Sequence, residues 1–266
     1  MREVLALARA DWLTATSYRT RMLMSLLALV TLVVPVYYVA EALQPVMANA
    51  IQGEGSQYFG FVLLGLVAAQ FLTFAVTALP GAVDKGIGDG TLEALLSTRT
   101  SLPALLGGMI TYPFIWAGMR SLVLLFFGLA LGMQVAWQQS VAAAGILVLI
   151  AAAHLPFGVL ATAMVIAFRT SGHIPQAVIM LSGFLGGVWY PTQVVPSWIQ
   201  HVSQVLPLTY GLRALRRTLL DGASLGASMT DLSIVVAFGV TLMLVSSAGL
   251  LLALRYARRN GTLAQY

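Results

Sequence analysis

Residues 58–79 read YFGFVLLGLVAAQFLTFAVTAL and contain no charged side chain. Gln70 is the most polar member of the run. An α-helix needs about 20 apolar residues to cross the hydrocarbon core of a bilayer. The run therefore predicts a helix that crosses a membrane.

Five further runs have the same character. A chain crosses lipid only when its backbone N–H and C=O groups are hydrogen-bonded within the spanning structure, and apolar runs of this length achieve this as helices. The fold class predicted is an all-α polytopic membrane protein with six transmembrane helices. The predicted spans cover residues 22–40, 58–79, 104–133, 141–168, 174–190 and 232–254.

The amino-acid composition is that of a membrane protein. The 266 residues are 59% hydrophobic and 9% charged, with a mean hydropathy of +0.89, whereas soluble domains are about 25% charged. The net charge of +5 is spread among apolar runs, which argues against a nucleic-acid partner. Because the chain has no cysteine, disulfides, cysteine-ligated zinc and thiol catalysis are excluded.

The placement of Lys and Arg predicts the orientation. With a cytoplasmic N-terminus, ten of the 14 basic residues lie inside, as the positive-inside rule requires. We therefore expect a multi-pass protein of the inner (plasma) membrane, with both termini cytoplasmic and a tail over residues 255–266. The inside residues are Arg2, Arg9, Arg19, Arg21, Lys85, Arg99, Arg169, Arg255, Arg258 and Arg259.

Residues 1–21 predict an interfacial helix on the cytoplasmic side. Val4, Ala8 and Trp12 share one helical face, as in helices that lie on a membrane surface. Acids at positions 3 and 11 do not fit a secretory signal peptide. The alternative is a frayed tail.

The chain lacks the motifs of an enzyme. It has no G-x-x-x-x-G-K-[ST] phosphate loop, since Lys85 in the glycine-rich segment 81–90 is not followed by Ser or Thr. It has no H-E-x-x-H motif and no acid deep in a predicted span. We therefore predict no catalytic residue and no metal ligand, and we expect any energy source to be a partner.

Two polar residues lie deep in predicted spans, Arg120 in the third and His154 in the fourth. A central Arg costs about 2.5–3.5 kcal/mol on insertion scales, so a partner or a water-filled cavity is expected. These residues either form a polar contact that holds the helices together or line a substrate path.

The cytoplasmic segment 89–103, DGTLEALLSTRTSLP, predicts a short amphipathic helix. Thr91 fits its N-cap, Glu93 complements the helix dipole, and Leu92, Leu95 and Leu96 form an apolar face. The helix either docks on another protein or is an ordinary surface helix.

The stretch 191–231 is too apolar for a disordered loop, and prolines divide it into short pieces. Its three arginines share one helix face, at i, i+3 and i+4. One alternative is that they contact lipid phosphates or an anionic substrate. The other is that they extend toward the lipid headgroups while Arg217 pairs with Asp221. The residues of interest, with the aromatic belt at its start, are Trp189, Tyr190, Pro191, Pro196, Trp198, Pro207, Tyr210, Arg213, Arg216 and Arg217.

These two segments together resemble the membrane subunit of type-2 ABC exporters. The stretch Gly90 to Thr98 is similar to the coupling helix of that family, although Arg99 follows where the family has proline. The second pattern is carried by Gly187, Tyr190, Pro191, Pro196, Pro207, Leu208, Thr209, Tyr210, Arg213, Asp221 and Gly222.

The resemblance implies a half-transporter with three parts. The first is an interfacial helix over residues 1–21. The second is a transmembrane domain over residues 22–254 that includes a coupling helix at about 90–100 and an extracellular re-entrant helical hairpin at about 191–225. The third is the tail. The ATPase-coupling residues would be Gly90, Thr91, Leu92, Glu93, Leu95, Leu96, Thr98 and Arg99.

The resemblance also implies partners. Two copies of this chain would assemble in membrane lipid with two copies of a separate ABC ATPase, which would bind ATP and magnesium, while this chain would bind no cofactor. The expected activity is export of an amphipathic, lipid-like, polysaccharide or drug substrate. The alternatives are a six-span secondary carrier or channel that works without an ATPase, and a membrane enzyme acting on lipid, which the missing acids and nucleophiles disfavour.

Overall fold

The computed structural model describes residues 9, 12–14, 16–91, 102–168, 170 and 173–259. Within these ranges the chain consists of helices joined by short loops, without a strand. Three single turns of 3₁₀-helix, Trp137–Gln139, Thr192–Val194 and Leu225–Ser228, lie in the loops. The α-helices are α1 (Arg19–Met47), α2 (Tyr58–Gly88), α3 (Leu102–Ala130), α4 (Ser140–Phe168), α5 (Ile174–Leu185), α6 (Ser197–Ser203), α7 (Pro207–Leu219) and α8 (Met229–Arg259).

Among the described residues, five helices, α1 to α4 and α8, are long and apolar enough to cross a membrane. They confirm an all-helical membrane protein and coincide with five of the six predicted spans. The remaining predicted span contains α5, which has 12 residues. At 1.5 Å per residue α5 is about 18 Å long, shorter than the hydrocarbon core of about 30 Å.

Helix α2 lies at the centre of the molecule. In its most apolar 18-residue window, 83% of the residues are buried, because α1, α3, α4, α5 and α7 all pack around it. Glycine allows the closest of these approaches, since a Cβ at Gly158 of α4 would lie 2.4 Å from the carbonyl oxygen of Ala75 of α2. The backbones of α2 and α4 are therefore in direct contact.

Helices α1 and α8 lie at the periphery. Only 11% and 17% of the residues in their most apolar windows are buried, and large apolar side chains such as Val46 and Leu244 are 72% and 70% exposed. Apolar surface on this scale is stable only against lipid or another protein surface. The exposed faces are thus consistent with a bilayer environment.

Candidate functional site

The side chain of Arg216 on α7 is buried and joins three parts of the chain. Its Nη1 donates to Glu54 Oε2 at 3.3 Å, in the loop between α1 and α2. Its Nη2 donates to the carbonyl oxygens of Gly187 at 2.9 Å and Val188 at 3.2 Å, in the loop after α5. Its Nε donates to the carbonyl oxygen of Phe61 in α2 at 3.1 Å. These contacts fix α7 against the central helix.

The first turns of α2 are shaped to receive this guanidinium. The ring of Phe61 stacks under it, with the guanidinium carbon 3.3 Å from the ring centroid, a cation–π contact. A Cβ at Gly65 would lie 2.2 Å from the carbonyl oxygen of Val188 and 3.1 Å from Arg216 Nη2. Only glycine at position 65 therefore leaves room for both groups.

Arg216 is charged at neutral pH despite its burial. The carboxylate of Glu54 supplies its counter-charge. A buried charge is tolerated when it is paired and its remaining donors are hydrogen-bonded. Arg216 meets both conditions.

The other two arginines of the face complete a network of ion pairs. Arg213 Nη1 and Arg217 Nη1 lie 3.3 and 3.5 Å from the two carboxylate oxygens of Asp231 in the first turn of α8. Arg213 Nε also lies 3.9 Å from Glu54. Within the described ranges, Arg217 forms its ion pair with Asp231, and Asp221, the partner that the sequence suggested, also interacts electrostatically with Arg217. The arginine face thus binds the protein's own acids.

The hairpin has the helices that its prolines predict. Pro196 precedes α6, and Pro207 is the first residue of α7, a position where proline needs no backbone donor. Tyr210 donates to the carbonyl oxygen of Gln204 at 2.9 Å, which closes the turn between the two helices. Pro191 is buried, Tyr190 is half-buried, and Trp198 is exposed.

Helix α7 slopes along α4. A Cβ at Gly211 would lie 2.6 Å from Ile150, which is about 15 Å along α4 from Ser140. At the other end, Leu220 packs against Gly55 and Gly60 near the start of α2. The hairpin therefore reaches well below the ends of the long helices.

Arg120 lines a cavity of about 570 Å³ between α1, α2 and α3. Two other basic residues, Arg21 and Lys85, line the same cavity. Arg120 Nε is buried and has no hydrogen-bond partner. Arg120 therefore faces a cavity, and its place on a substrate path stays a prediction.

His154 lies elsewhere, fully buried in α4. Its Nδ1 is 2.7 Å from the carbonyl oxygen of Ile150 and must donate there, because a carbonyl only accepts. Its Nε2 has no hydrogen-bond partner, and its ring lies 6.0 Å from that of Phe157. No hydrogen bond joins His154 to Arg120 in the described part of the chain, so the structure does not bring the two residues together.

Most of the predicted coupling helix, including Leu92, Glu93 and Arg99, lies outside the described residues. Gly90 has a φ of +66°, which suits glycine and ends α2. The hydroxyl of Thr91 donates to the carbonyl oxygen of Gly86 at 3.5 Å. The role of these residues stays a prediction.

Sequence reasoning missed Glu54, Gly65 and Asp231 as parts of the arginine network. Glu54 and Arg216 are 162 positions apart, so no local spacing relates them. The available signal was charge balance, since three arginines on one helix face need acids as partners, and the chain has only nine acidic residues. The aromatic residues near Arg120 did carry a local signal, because Tyr112 and Trp116 precede it at steps of four along one face of α3.

Two comparisons with known proteins bear on this arrangement. The family model described as ABC-2 type transporter matches residues 2–220, well over half of the chain. No match was found among curated proteins.

Replacing Arg216 by Ala is expected to destabilise the protein by about 3–5 kcal/mol, because three backbone carbonyls lose their donor and Glu54 loses its nearest cation, keeping only the 3.9 Å contact with Arg213. Arg217→Ala is the matched control on the same helix. The Arg217 side chain is 39% exposed compared with 3% for Arg216, so its loss should cost less than about 1 kcal/mol. Thermal unfolding in detergent measures both. Equal loss in the two variants would contradict the central role of Arg216.

If Arg216→Ala yields no folded protein, a second variant keeps the test informative. Combining Glu54→Gln with Arg216→Met removes both charges, and burying two neutral groups costs less than burying one unpaired charge. The double variant should therefore give more folded protein than Arg216→Ala.

Proposed function

The chain belongs to the ABC-2 type transporter family, and we propose that it is the permease subunit of an ATP-driven exporter. Membership makes it a multi-pass membrane transport subunit that is not itself catalytic. The observation that carries the proposal is the family match over residues 2–220, which includes the segment 89–103 and most of the segment 191–231. Two copies of this chain with two copies of a separate ABC ATPase would form the working assembly.

The coupling segment is assigned to residues 90–100. It follows α2, the central helix, directly, so a force applied there by an ATPase acts on the helix that contacts α1, α3, α4, α5 and α7. Gly90 provides the turn out of α2. We propose that Leu92, Leu95 and Leu96 dock in the ATPase while Glu93 orients the segment.

We further propose six crossings, the sixth formed by α5 and the residues that follow it. His173, just before α5, lines a small cavity with Asp84 near the end of α2. After α5, the carbonyl oxygen of Trp189 accepts a hydrogen bond from Tyr58 at the start of α2. Tyr58 and Asp84 are about 39 Å apart along α2, so the segment 173–189 runs the length of a span.

The hairpin of α6 and α7 then re-enters the membrane from the outer side. The support is its depth along α4 at Ile150 and its return to the start of α2 at Leu220. On the other side, Trp12 packs edge-to-face on Tyr112 of α3, with ring centroids 6.1 Å apart. This contact supports an interfacial position for the segment before α1.

We propose that the substrate is amphipathic, lipid-like, polysaccharide or drug, and that its path includes Arg120. His154 is fully buried in this conformation and would contribute to helix packing beside that path. Both termini would be cytoplasmic, in the inner membrane.

Co-purification tests the partnership. The chain, expressed together with candidate ABC ATPases from the same source, should retain one of them, and combined Leu92→Ala and Glu93→Ala should reduce its recovery at least tenfold, because the docking face is lost. Arg255→Ala, an exposed site at the end of α8, is the control and should retain it. ATP hydrolysis by the purified chain alone would contradict the proposal.

Cysteine labelling tests the orientation and the sixth crossing. The chain has no cysteine, so single cysteines can be placed at exposed Gln52, Gly88 and Gln193. In intact cells a membrane-impermeant maleimide should label Gln52→Cys and Gln193→Cys, and Gly88→Cys only after permeabilisation. If Gln193→Cys behaves like Gly88→Cys, α5 does not complete a crossing.

A further inference from the structure

The cavity that contains Arg120 is built from one face of each of three helices. On α2 it is lined by Ala78, Gly81, Ala82 and Lys85, a spacing of i, i+3, i+4 and i+7 that selects one side of a helix. Faces of α1 and α3 and residues just before α1 supply the other walls. Its volume, about 570 Å³, falls within the usual 300–1,000 Å³ of sites for small ligands.

The charge in this cavity is all of one sign among the described lining residues. Arg21, Lys85 and Arg120 contribute three cations, and no Asp or Glu accompanies them. The ion pairs in the described ranges all involve the arginines of α7. The cavity thus has an excess of positive charge that no described acid neutralises.

Arg120 lacks an acceptor for one of its hydrogen-bond donors in this cavity. Its Nε is buried without a hydrogen-bond partner, although a buried donor normally has one. An anion in the cavity would supply both an acceptor and a counter-charge. Arg and Lys are the side chains that bind phosphate in proteins, Arg through its planar fork and Lys as a point charge.

The rest of the lining is apolar or aromatic. Met22 and Met109 give flexible apolar surface, while Tyr18, Tyr112 and Trp116 give ring faces. Rings of this kind are enriched where membrane meets water. The combination suits a molecule with an anionic end and an apolar body.

We propose that this cavity binds the anionic headgroup of a membrane amphiphile of the glycerophospholipid type, with Arg21, Lys85 and Arg120 neutralising the phosphate. Basic pockets between transmembrane helices on the cytoplasmic side are suited to such headgroups. The proposal rests on the proposed function, because it identifies the site as the entry point of an exported amphiphile.

Gly81 offers a way to block the cavity without changing its charge. A Cβ there meets nothing within 4 Å, and Gly81 lies inside α2, where leucine favours the helix more than glycine does. Gly81→Leu therefore adds bulk at the wall of the Arg120 cavity, which Gly81 shares with the smaller cavity near His173, and its Cβ meets no packed neighbour of α2.

The test measures lipid binding to the purified full chain, without any ATPase, by native mass spectrometry. Phosphatidylglycerol and phosphatidylcholine with identical acyl chains are offered at equal concentration. The native chain should prefer phosphatidylglycerol at least tenfold. Arg120→Gln, Lys85→Gln and Gly81→Leu should each reduce that preference severalfold. Arg255→Gln, which removes an exposed charge outside the cavity, should leave it unchanged.

Three results would overturn the proposal. One is equal binding of the two lipids by the native chain. Another is a loss with Arg255→Gln as large as with Arg120→Gln, which would assign the preference to overall charge. The last is displacement of phosphatidylglycerol by equimolar inorganic phosphate, which would assign the cavity to a free anion. Because no ATPase is present, a failure of ATP-driven export would leave the binding result standing.

Discussion

A guanidinium cannot be buried without acceptors, and this constraint organises the half of the protein where α2 begins. Arg216 obtains its acceptors from three separate places: Glu54, the Gly187–Val188 turn and Phe61 of the central helix. Each must be in position before the charge can be buried, so the loop after α1, the turn after α5 and the start of α2 are fixed together. The slope of α7 along α4 follows from the same attachment.

The basic side chains in the two halves of the molecule have opposite environments. At the end where α2 begins, the arginines of α7 are paired with Glu54 and Asp231. Along the second half of α2, the cavity lined by Arg21, Lys85 and Arg120 has no described acid. Paired charges give a rigid structure, whereas unpaired charges attract a ligand. The proposed headgroup site and the fixed hairpin at the opposite end both depend on this asymmetry.

Much of the fold follows from sequence because it depends on local patterns. Apolar runs locate the five long helices, and Pro196 and Pro207 locate the starts of α6 and α7. The length of α5 does not follow, because residues 174–190 stay apolar past Leu185 while glycines at 186 and 187 end the helix. The site depends on contacts that residue spacing does not encode. Arg216 pairs with Glu54, which lies far away in the sequence. The need for glycine at position 65 follows only from the structure, in which Val188 packs against it.

Transport by this chain is proposed to require a separate ATPase. The direct measurement is transfer of a fluorescent anionic phospholipid across the membrane of vesicles that contain the chain with its ATPase, the chain alone, or the ATPase alone. We expect ATP-dependent transfer away from the ATP-containing side only when both subunits are present. Equal transfer by the chain alone, or without ATP, would contradict the account and identify a carrier or channel instead.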